Sequence, residues 1–219
     1  RRCALIAVPG RRSHGGRRSH GMTIVSVLGT RPEIIKMAPL LPLFDELGRH
    51  LVVHSGQHYS AEMDAVFFSE LELRAPDRAL HVGSSAPAAQ VARIAEGVEA
   101  VIEEINPDWV VVHGDTNTTL GGALAAAKHR REGVRLAHVE AGARSFNRSQ
   151  PEELNRVLVD QMSDLLFAPT DAEAGYLKAE GIGEERIVVT GNTIVDSCRR
   201  MAGLLNGSVP DGLRPSHYA

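Results

Sequence analysis

Hydrophobic residues along the chain fall into short continuous runs that alternate with longer segments in which they recur every three or four positions. Continuous runs bounded by glycine, proline or polar residues are typical of buried strands, and the wider spacing is typical of amphipathic helices. The predicted strands cover residues 23–29, 51–56, 108–115, 134–140, 165–170 and 186–191. The predicted helices cover residues 34–47, 88–105, 118–131, 151–164, 171–181 and 193–205.

This alternation predicts the α/β class. Strands that are apolar throughout and separated by helices indicate a parallel sheet with helices on both faces, built from βαβ units. About six strands would fill one Rossmann-like domain. Ligands of such sheets bind beyond the carboxyl ends of the strands, so the residues that follow each predicted strand are the first candidates for chemistry.

The charge of the chain is distributed unevenly. The chain has 219 residues, of which 43% are hydrophobic, enough for a sizeable core. Residues 1–21 carry six arginines and no acidic residue. The rest of the chain has 18 basic and 27 acidic residues. That acidic body argues against a nucleic-acid surface built by bulk charge. We expect Met22 to be the working start and residues 1–21 to be a disordered basic extension, with a nucleic-acid-binding arm as the alternative.

Two further features of the sequence bear on its compartment. No stretch approaches the apolar length of a membrane-spanning helix, and the apolar run at residues 3–8 is too short for a signal peptide. Cys3 and Cys198 lie far apart, which gives neither a disulfide framework nor metal-ligand spacing. We therefore expect a protein of the reducing cytoplasm without a metal site or a membrane partner.

The first predicted strand runs into the segment GTRPEIIK, residues 29–36. Pro32 suits the first turn of a helix, whose free N–H groups and positive dipole end favour an anion. Arg31 and Lys36 would add positive charge to that cradle. The alternative is that both are ordinary surface cations, since the segment matches neither a Walker loop nor GxGxxG.

Two carboxylates follow other predicted strands. Asp115 ends the segment WVVVHGD and could cap the next helix, a role that aspartate often fills. Glu140 ends the segment RLAHVE, and the next predicted helix begins about ten residues later, too far for capping. Glu140 is thus a carboxylate at a strand tip without an evident structural role. His58, after the second strand, is a candidate second-tier contact, although a lone histidine is more often structural.

The segment from residue 138 to residue 156 reads HVEAGARSFNRSQPEELNR and is rich in opposed charge. Its prolines and spacing predict that Glu152 and Glu153 lie in the first turn of a helix, where the dipole favours negative charge. Glu152 and Arg156 are four positions apart, so a helical ion pair is one explanation. The other is a shared cleft, in which carboxylates with separated pKa values transfer protons and Arg144 holds a substrate anion.

At these residues the chain resembles the non-hydrolysing UDP-N-acetylglucosamine 2-epimerases. The similar segments are GTRPEIIK, GQHY, HGDTNTTLGGALAA, HVEAGARSF, PEELNR, LLFAPT and VTGNTIVD, between about Thr23 and about Asp196. The resemblance implies two Rossmann-like domains facing a cleft, the GT-B arrangement. It also implies interconversion of UDP-GlcNAc and UDP-ManNAc without added cofactor or metal, in the supply of cell-surface polysaccharides.

The resemblance assigns roles to the candidate residues. Asp115, Glu140 and Glu152 would be the acid/base group, with the individual roles left open. The residues that would bind substrate or offset phosphate charge are Arg31, Lys36 and Arg156, with Arg144 and His58 as weaker candidates. The partner would be a UDP-sugar, and a homodimer stays an open alternative.

One departure from the family concerns the length of the chain. Family members are nearly twice as long and carry a second domain that binds most of the UDP. We therefore expect an N-terminal domain at residues 22–205, a linker at 206–219 and little activity of the chain alone. The alternatives are another GT-B enzyme, either a glycosyltransferase or a hydrolysing epimerase, and a non-catalytic half that pairs with a separate second domain.

Overall fold

Seven parallel strands form one sheet in the computed structural model, which describes residues 21–57 and 61–204. The strands are β1 (Met22–Leu28), β2 (Gly48–His54), β3 (Arg78–Ala79), β4 (Trp109–His113), β5 (Arg135–Val139), β6 (Leu165–Ala168) and β7 (Ile187–Val189). Their order across the sheet is β3-β2-β1-β4-β5-β6-β7, and every neighbouring pair is parallel. The order reverses between β1 and β4, and open α/β sheets bind their ligands at such a point.

Eight helices accompany the sheet within the described residues. They are α1 (Arg31–Met37), α2 (Leu41–Leu47), α3 (Ala61–Glu70), α4 (Pro87–Ile105), α5 (Asn117–Lys128), α6 (Pro151–Met162), α7 (Asp171–Ala179) and α8 (Thr193–Leu204). In that part of the chain, none of the helices has the length and apolar character needed to cross a membrane.

The core lies on both faces of the sheet. Ile24 and Leu28 of β1 pack on one face with residues of α1 and α2. Val25 and Val27 of the same strand pack on the other face with residues of α4 and α5. Because both faces are covered, a central strand has no polar side, which explains the continuous apolar runs of the sequence. The predicted α/β class with a parallel, doubly covered sheet is confirmed.

The prediction of one helix over residues 34–47 is wrong. The structure has two helices there, α1 and α2, separated by a turn at residues 38–40. Pro39 has no N–H to donate to the carbonyl oxygen of Ile35, so the helix ends. Ser197 of α8 takes the place of that donor, with its Oγ 2.5 Å from the Ile35 carbonyl oxygen. The break in the helix thus fixes α8 on α1.

Two elements were not predicted from the sequence. Strand β3 has only two residues, both exposed, and so carries no hydrophobic signal. Helix α3 lies in the segment before it, where the sequence lacks a clear apolar periodicity. The basic extension and the linker, predicted at residues 1–21 and 206–219, lie outside the described residues except for Gly21.

A hydrogen-bonded Asp–His–Ser chain joins the exposed Asp45 of α2 to the buried His50 of β2 and Ser26 of β1. His50 Nδ1 lies 2.7 Å from Asp45 Oδ1, and His50 Nε2 lies 2.9 Å from Ser26 Oγ. Ser26 is completely buried in the middle of β1, so no substrate reaches its hydroxyl. The arrangement therefore satisfies buried polar groups under α2 and is not a nucleophilic site.

The turn after β1 requires glycine at position 29, which gives the first testable prediction. A methyl group at Gly29 would overlap the hydroxyl oxygens of Ser55 and Thr118, which bond each other at 2.7 Å in the core. Gly29→Ala is therefore expected to lower the free energy of unfolding by about 1–3 kcal/mol. Urea denaturation followed by circular dichroism measures this change.

Gly175 provides the matched control, because a methyl group there meets no atom within 4 Å. Gly175 lies inside α7, where alanine is the better helix former, so Gly175→Ala should leave the stability unchanged or raise it. An equal loss of stability in both variants would contradict the close packing assigned to Gly29.

Candidate active site

Three loops meet at the carboxyl edge of the sheet, next to the point where the strand order reverses. They follow the adjacent strands β1, β4 and β5, and lead into α1, α5 and α6. Asp115 lies in the second loop and Glu140 begins the third. Lys36 reaches this edge from α1 and Arg156 from α6. The four side chains come from segments far apart in the sequence.

Glu140 and Lys36 form the first ion pair of this edge. The lysine Nζ lies 2.7 Å from each carboxylate oxygen of Glu140, although the two residues are 104 positions apart. Both side chains are partly exposed, at 26% for Lys36 and 21% for Glu140. Glu140 itself has a positive φ of 66°. Non-glycine residues rarely adopt this conformation, and it is concentrated at functional sites.

His113, the last residue of β4, is a second neighbour of Glu140. Its Nε2 lies 3.4 Å from Glu140 Oε2, within ion-pair range but without the alignment of a hydrogen bond. The histidine is 2% exposed, and neither ring nitrogen has a hydrogen-bond partner among the described residues. Burial works to raise the pKa of Glu140, yet His113 and Lys36 favour the carboxylate and lower that pKa to about 2.

Asp115 and Arg156 form the second ion pair. Arg156 Nη2 lies 2.5 Å from Asp115 Oδ2, and the side-chain amide of Asn155 donates to the Asp115 carbonyl oxygen at 2.8 Å. Helix capping, the alternative role for Asp115, belongs to Thr116, whose hydroxyl accepts from the backbone N–H of Thr119. The Asp115 carboxylate therefore does not cap the helix. It lies at the carboxyl edge of the sheet, paired with Arg156.

The two adjacent glutamates of α6 have opposite environments. Glu152 is exposed, and within residues 21–57 and 61–204 it has no recorded ion pair or hydrogen bond. The helical ion pair between Glu152 and Arg156, considered from the sequence, is not formed. Arg156 Nη1 instead donates to Glu153 at 2.9 Å. The catalytic role assigned to Glu152 stays a prediction.

Glu153 is buried, with 3% exposure. Its carboxylate accepts hydrogen bonds from the backbone N–H groups of Ser145 and Phe146, each at 2.9 Å, and from the Ser145 hydroxyl at 3.1 Å. These donors and Arg156 lower the pKa of Glu153 to about 2, against the opposing effect of burial. From the sequence, Glu153 has only a favourable position in the first turn of α6.

A second buried carboxylate, Glu33 of α1, holds two of the loops together. It accepts from the backbone N–H groups of Gly29 and Thr30, both at 2.8 Å. It also accepts from the Thr116 hydroxyl at 2.6 Å, across the sheet. Glu33 therefore ties the loop after β1 to the loop after β4, and sequence reasoning did not single it out.

Arg144 occupies a buried ion network. Its side chain is 1% exposed and its Nη2 lies 2.7 Å from Asp160 and 2.6 Å from Glu180. Asp160 also accepts from the backbone N–H of Gly142 at 3.1 Å and lies 2.6 Å from His138 Nδ1. These contacts fix the loop after β5, and the two carboxylates neutralise the charge of Arg144. Its predicted contact with substrate stays a prediction.

Arg31 and His58 are the two remaining predicted substrate contacts, and the structure describes only the first of them. Arg31 is the first residue of α1, partly buried, with its guanidinium carbon 6.0 Å from the centre of the Phe67 ring. His58 lies outside the described residues. In the described ranges no group of three histidine, cysteine, aspartate or glutamate side chains could hold a metal ion.

The assembled edge can bind an anion and transfer a proton. Lys36 and Arg156 supply positive charge, and Asp115 and Glu140 supply carboxylates on neighbouring loops. Carboxylates in a partly buried site, where neighbours set their pKa values, can serve in proton-transfer catalysis. Asp115 and Glu140 were predicted because each follows a strand, and Lys36 because it lies one turn into the helix after β1, whereas the role of Arg156 came from the family resemblance. His113 was missed as a neighbour of Glu140, although its position at the end of β4 was a usable signal.

Comparison with known proteins identifies relatives of the chain. Residues 45–213 match the model of the UDP-N-acetylglucosamine 2-epimerase family. A UDP-N-acetylglucosamine 2-epimerase of Methanococcus maripaludis is 48% identical over 171 residues, which cover 78% of this chain and 46% of the relative. A UDP-2,3-diacetamido-2,3-dideoxy-D-glucuronate 2-epimerase of Pseudomonas aeruginosa is 41% identical, with 80% of this chain and 50% of the relative covered.

A solved structure agrees with the sequence relatives. The crystal structure of the Methanocaldococcus jannaschii UDP-GlcNAc 2-epimerase in complex with UDP-GlcNAc and UDP has a TM-score of 0.81 and 44% identity to this chain. It covers 85% of this chain, which in turn covers 51% of that structure. The chain thus spans about half the length of the relatives it matches, corresponding to their N-terminal half. The chain belongs to the UDP-N-acetylglucosamine 2-epimerase family.

Proposed function

We propose that the chain supplies the acid/base half of the active site of a UDP-GlcNAc 2-epimerase. The observation that supports this best is the Glu140 carboxylate, which lies at a strand tip in a strained backbone conformation with Lys36 paired to both of its oxygens. Asp115, held by Arg156, is the second carboxylate of the same edge. The M. jannaschii relative, solved with UDP-GlcNAc and UDP, supports a nucleotide-sugar ligand.

The proposed reaction inverts C2 of the sugar by elimination and re-addition. A carboxylate removes the C2 proton, the C1–O bond to UDP breaks with its electron pair, and a C1–C2 double bond forms. A proton then returns to the opposite face of C2 and UDP adds again at C1. Asp115, Glu140 and Glu152 are the proposed acid/base residues, with their individual roles open. Arg31, Lys36 and Arg156 would stabilise the phosphate charge that grows as UDP leaves.

Lys36 links phosphate binding to the basicity of Glu140. With a pKa of about 2, Glu140 in the ion pair is a weak base. A substrate phosphate that takes Lys36 as its own partner would remove one of the groups that lower this pKa. The carboxylate would then become a stronger base only when substrate is bound. We propose that the ion pair keeps Glu140 ionised in the free protein and loosens on binding.

Two further points belong to the same proposal. The P. aeruginosa relative is a 2-epimerase of a different UDP-sugar, so UDP-2,3-diacetamido-2,3-dideoxy-D-glucuronate is the second candidate substrate. A cytoplasmic location is supported by the two distant cysteines of the sequence. A homodimer stays a prediction that the mass of the protein in solution would test.

The first prediction of the proposed function concerns turnover. In a full-length protein that contains this sequence, Glu140→Gln should lower kcat by at least about 100-fold, because the variant has no carboxylate to exchange a proton. Proton NMR of UDP-GlcNAc and UDP-ManNAc in D₂O measures both the products and deuterium at C2. The present chain alone should convert little UDP-GlcNAc and release little UDP.

Glu104→Gln is the matched control for that experiment, because Glu104 is an exposed glutamate that pairs with Arg78 far from the site. It should retain the wild-type rate. If Glu140→Gln kept a rate close to that of Glu104→Gln, the role proposed for Glu140 would be wrong. Brisk conversion by the present chain alone would overturn the expectation that a second half is needed.

The second prediction concerns the pKa of Glu140, which can be measured in this chain by carbon NMR of its carboxyl group. Lys36→Met removes one of the two groups that favour the carboxylate, so the pKa should rise from about 2 toward the ordinary 4.5. In the wild type, the stabilisation from the lowered pKa is complete above pH 4.5 and is lost as the pH falls through about 2. In the variant that loss should be smaller and should end at a higher pH, because the folded-state pKa lies closer to 4.5.

Lys178→Met serves as its control, since Lys178 pairs with Glu184 at the surface and is not among the groups that shift the pKa of Glu140. The Glu140 titration should be the same in this variant as in the wild type. An unchanged Glu140 pKa in Lys36→Met would show that the ion pair does not set the protonation of the carboxylate.

A further inference from the structure

Of the two glutamates that begin α6, the buried one makes the contacts that reach the site. Glu153 accepts four hydrogen bonds, from Ser145 N, Ser145 Oγ, Phe146 N and Arg156 Nη1, at 2.9 to 3.1 Å. The neighbouring Glu152 is exposed. A carboxylate is an acceptor without donors, so Glu153 can satisfy all four donors at once.

Helix capping alone does not account for Glu153. A negative charge in the first turn of a helix interacts favourably with the helix dipole, and Glu152 already provides that charge at the surface. Burying a second carboxylate is costly unless it is paired and hydrogen-bonded. All four donors to Glu153 lie outside the backbone of α6, three of them in the loop after β5. The contacts are therefore directed at the loop and at Arg156.

The first consequence of these contacts is a fixed loop. Phe146 has a φ of 57°, a conformation that is unfavourable for a bulky residue. The carboxylate of Glu153 holds its N–H and that of Ser145 in place. The Phe146 ring is 68% exposed and packs edge-on against Tyr176 with the ring centres 5.1 Å apart. Glu153 thus holds the loop after β5 in a strained conformation with an aromatic ring presented to solvent.

The second consequence is the orientation of Arg156. Its Nη1 donates to Glu153 and its Nη2 to Asp115, so the guanidinium bridges the two carboxylates. Because a guanidinium group is planar, a hydrogen bond at one of its nitrogens restricts the direction in which the other nitrogen points. The position of Arg156 against Asp115 therefore depends on Glu153.

We propose that Glu153 is a positioning residue of the active site, which orients Asp115 through Arg156 and fixes the loop at residues 145–146. The proposal rests on the proposed function only for its effect on turnover. The placement of Arg156 and of the loop is a property of the free chain. Two kinds of measurement therefore separate the two proposals.

The structural measurement uses Glu153→Gln in the present chain. Glutamine replaces one acceptor oxygen by an NH₂ group that faces other donors, so hydrogen exchange at the amides of Ser145 and Phe146 should become at least tenfold faster. Glu152→Gln, the adjacent isosteric change, should leave these exchange rates within twofold of the wild type. Equal exchange rates in Glu153→Gln and the wild type would overturn the proposal, whatever the chain does with UDP-GlcNAc.

The functional measurement uses kcat and KM in the full-length protein. Glu153→Gln should lower kcat at least tenfold with a smaller change in KM, because Asp115 is misplaced for the chemical step. In an Arg156→Met background the same change should alter kcat less than twofold, since the residue through which Glu153 acts is gone. A purely structural Glu153 would instead give independent, multiplicative effects in the two backgrounds and would overturn the proposal.

An inactive full-length wild-type protein would refute the proposed function and leave the exchange measurement in the present chain to decide the role of Glu153. If Glu153→Gln prevented folding, Glu153→Asp would replace it. The shorter carboxylate keeps the charge and loses reach, so it should show the same faster exchange in a folded chain. Wild-type exchange in a folded Glu153→Asp variant would count against the proposal.

Discussion

Two ion pairs between residues distant in the sequence hold the carboxylates of the sheet edge in a partly buried site. Lys36 binds both oxygens of Glu140, and Arg156 binds Asp115. Burial by itself would favour the neutral acid of Glu140, and Lys36 and His113 reverse that preference. The lowered pKa of Glu140 is the direct result of this balance. An ionised carboxylate with a displaceable cation is suited to a substrate that brings its own phosphate groups.

Buried carboxylates provide the rigidity that these ion pairs require. Glu33 joins the loops after β1 and β4, and Glu153 joins the loop after β5 to Arg156. Each carboxylate is surrounded by donors, which is the condition for burying a charge. Catalytic groups are effective when they are held in place before the substrate arrives. The sheet edge therefore has its geometry built into the fold of this chain.

The sequence predicted the parts of the fold and site that follow from local pattern. Apolar runs located six of the seven strands, and the rule for parallel sheets located Asp115 and Glu140 at one edge, with Lys36 one turn into the helix after the first strand. The rest depends on contacts between distant segments. A sequence does not show that Glu153 is buried and Glu152 exposed, because the donors to Glu153 lie in another loop. Likewise, a sequence does not show that Arg144 is paired with Asp160 and Glu180.

The central claim, that opposed charges from distant segments hold the site together, is tested most directly by a double-mutant cycle between Lys36 and Glu140. The measured quantity is the free energy of unfolding of the wild type, Lys36→Met, Glu140→Gln and the double variant at neutral pH and low salt. A bidentate, partly buried ion pair predicts a favourable coupling energy of about 1 kcal/mol or more, which shrinks as the pH falls through the Glu140 pKa. Strictly additive effects, with no coupling at any pH, would contradict the account.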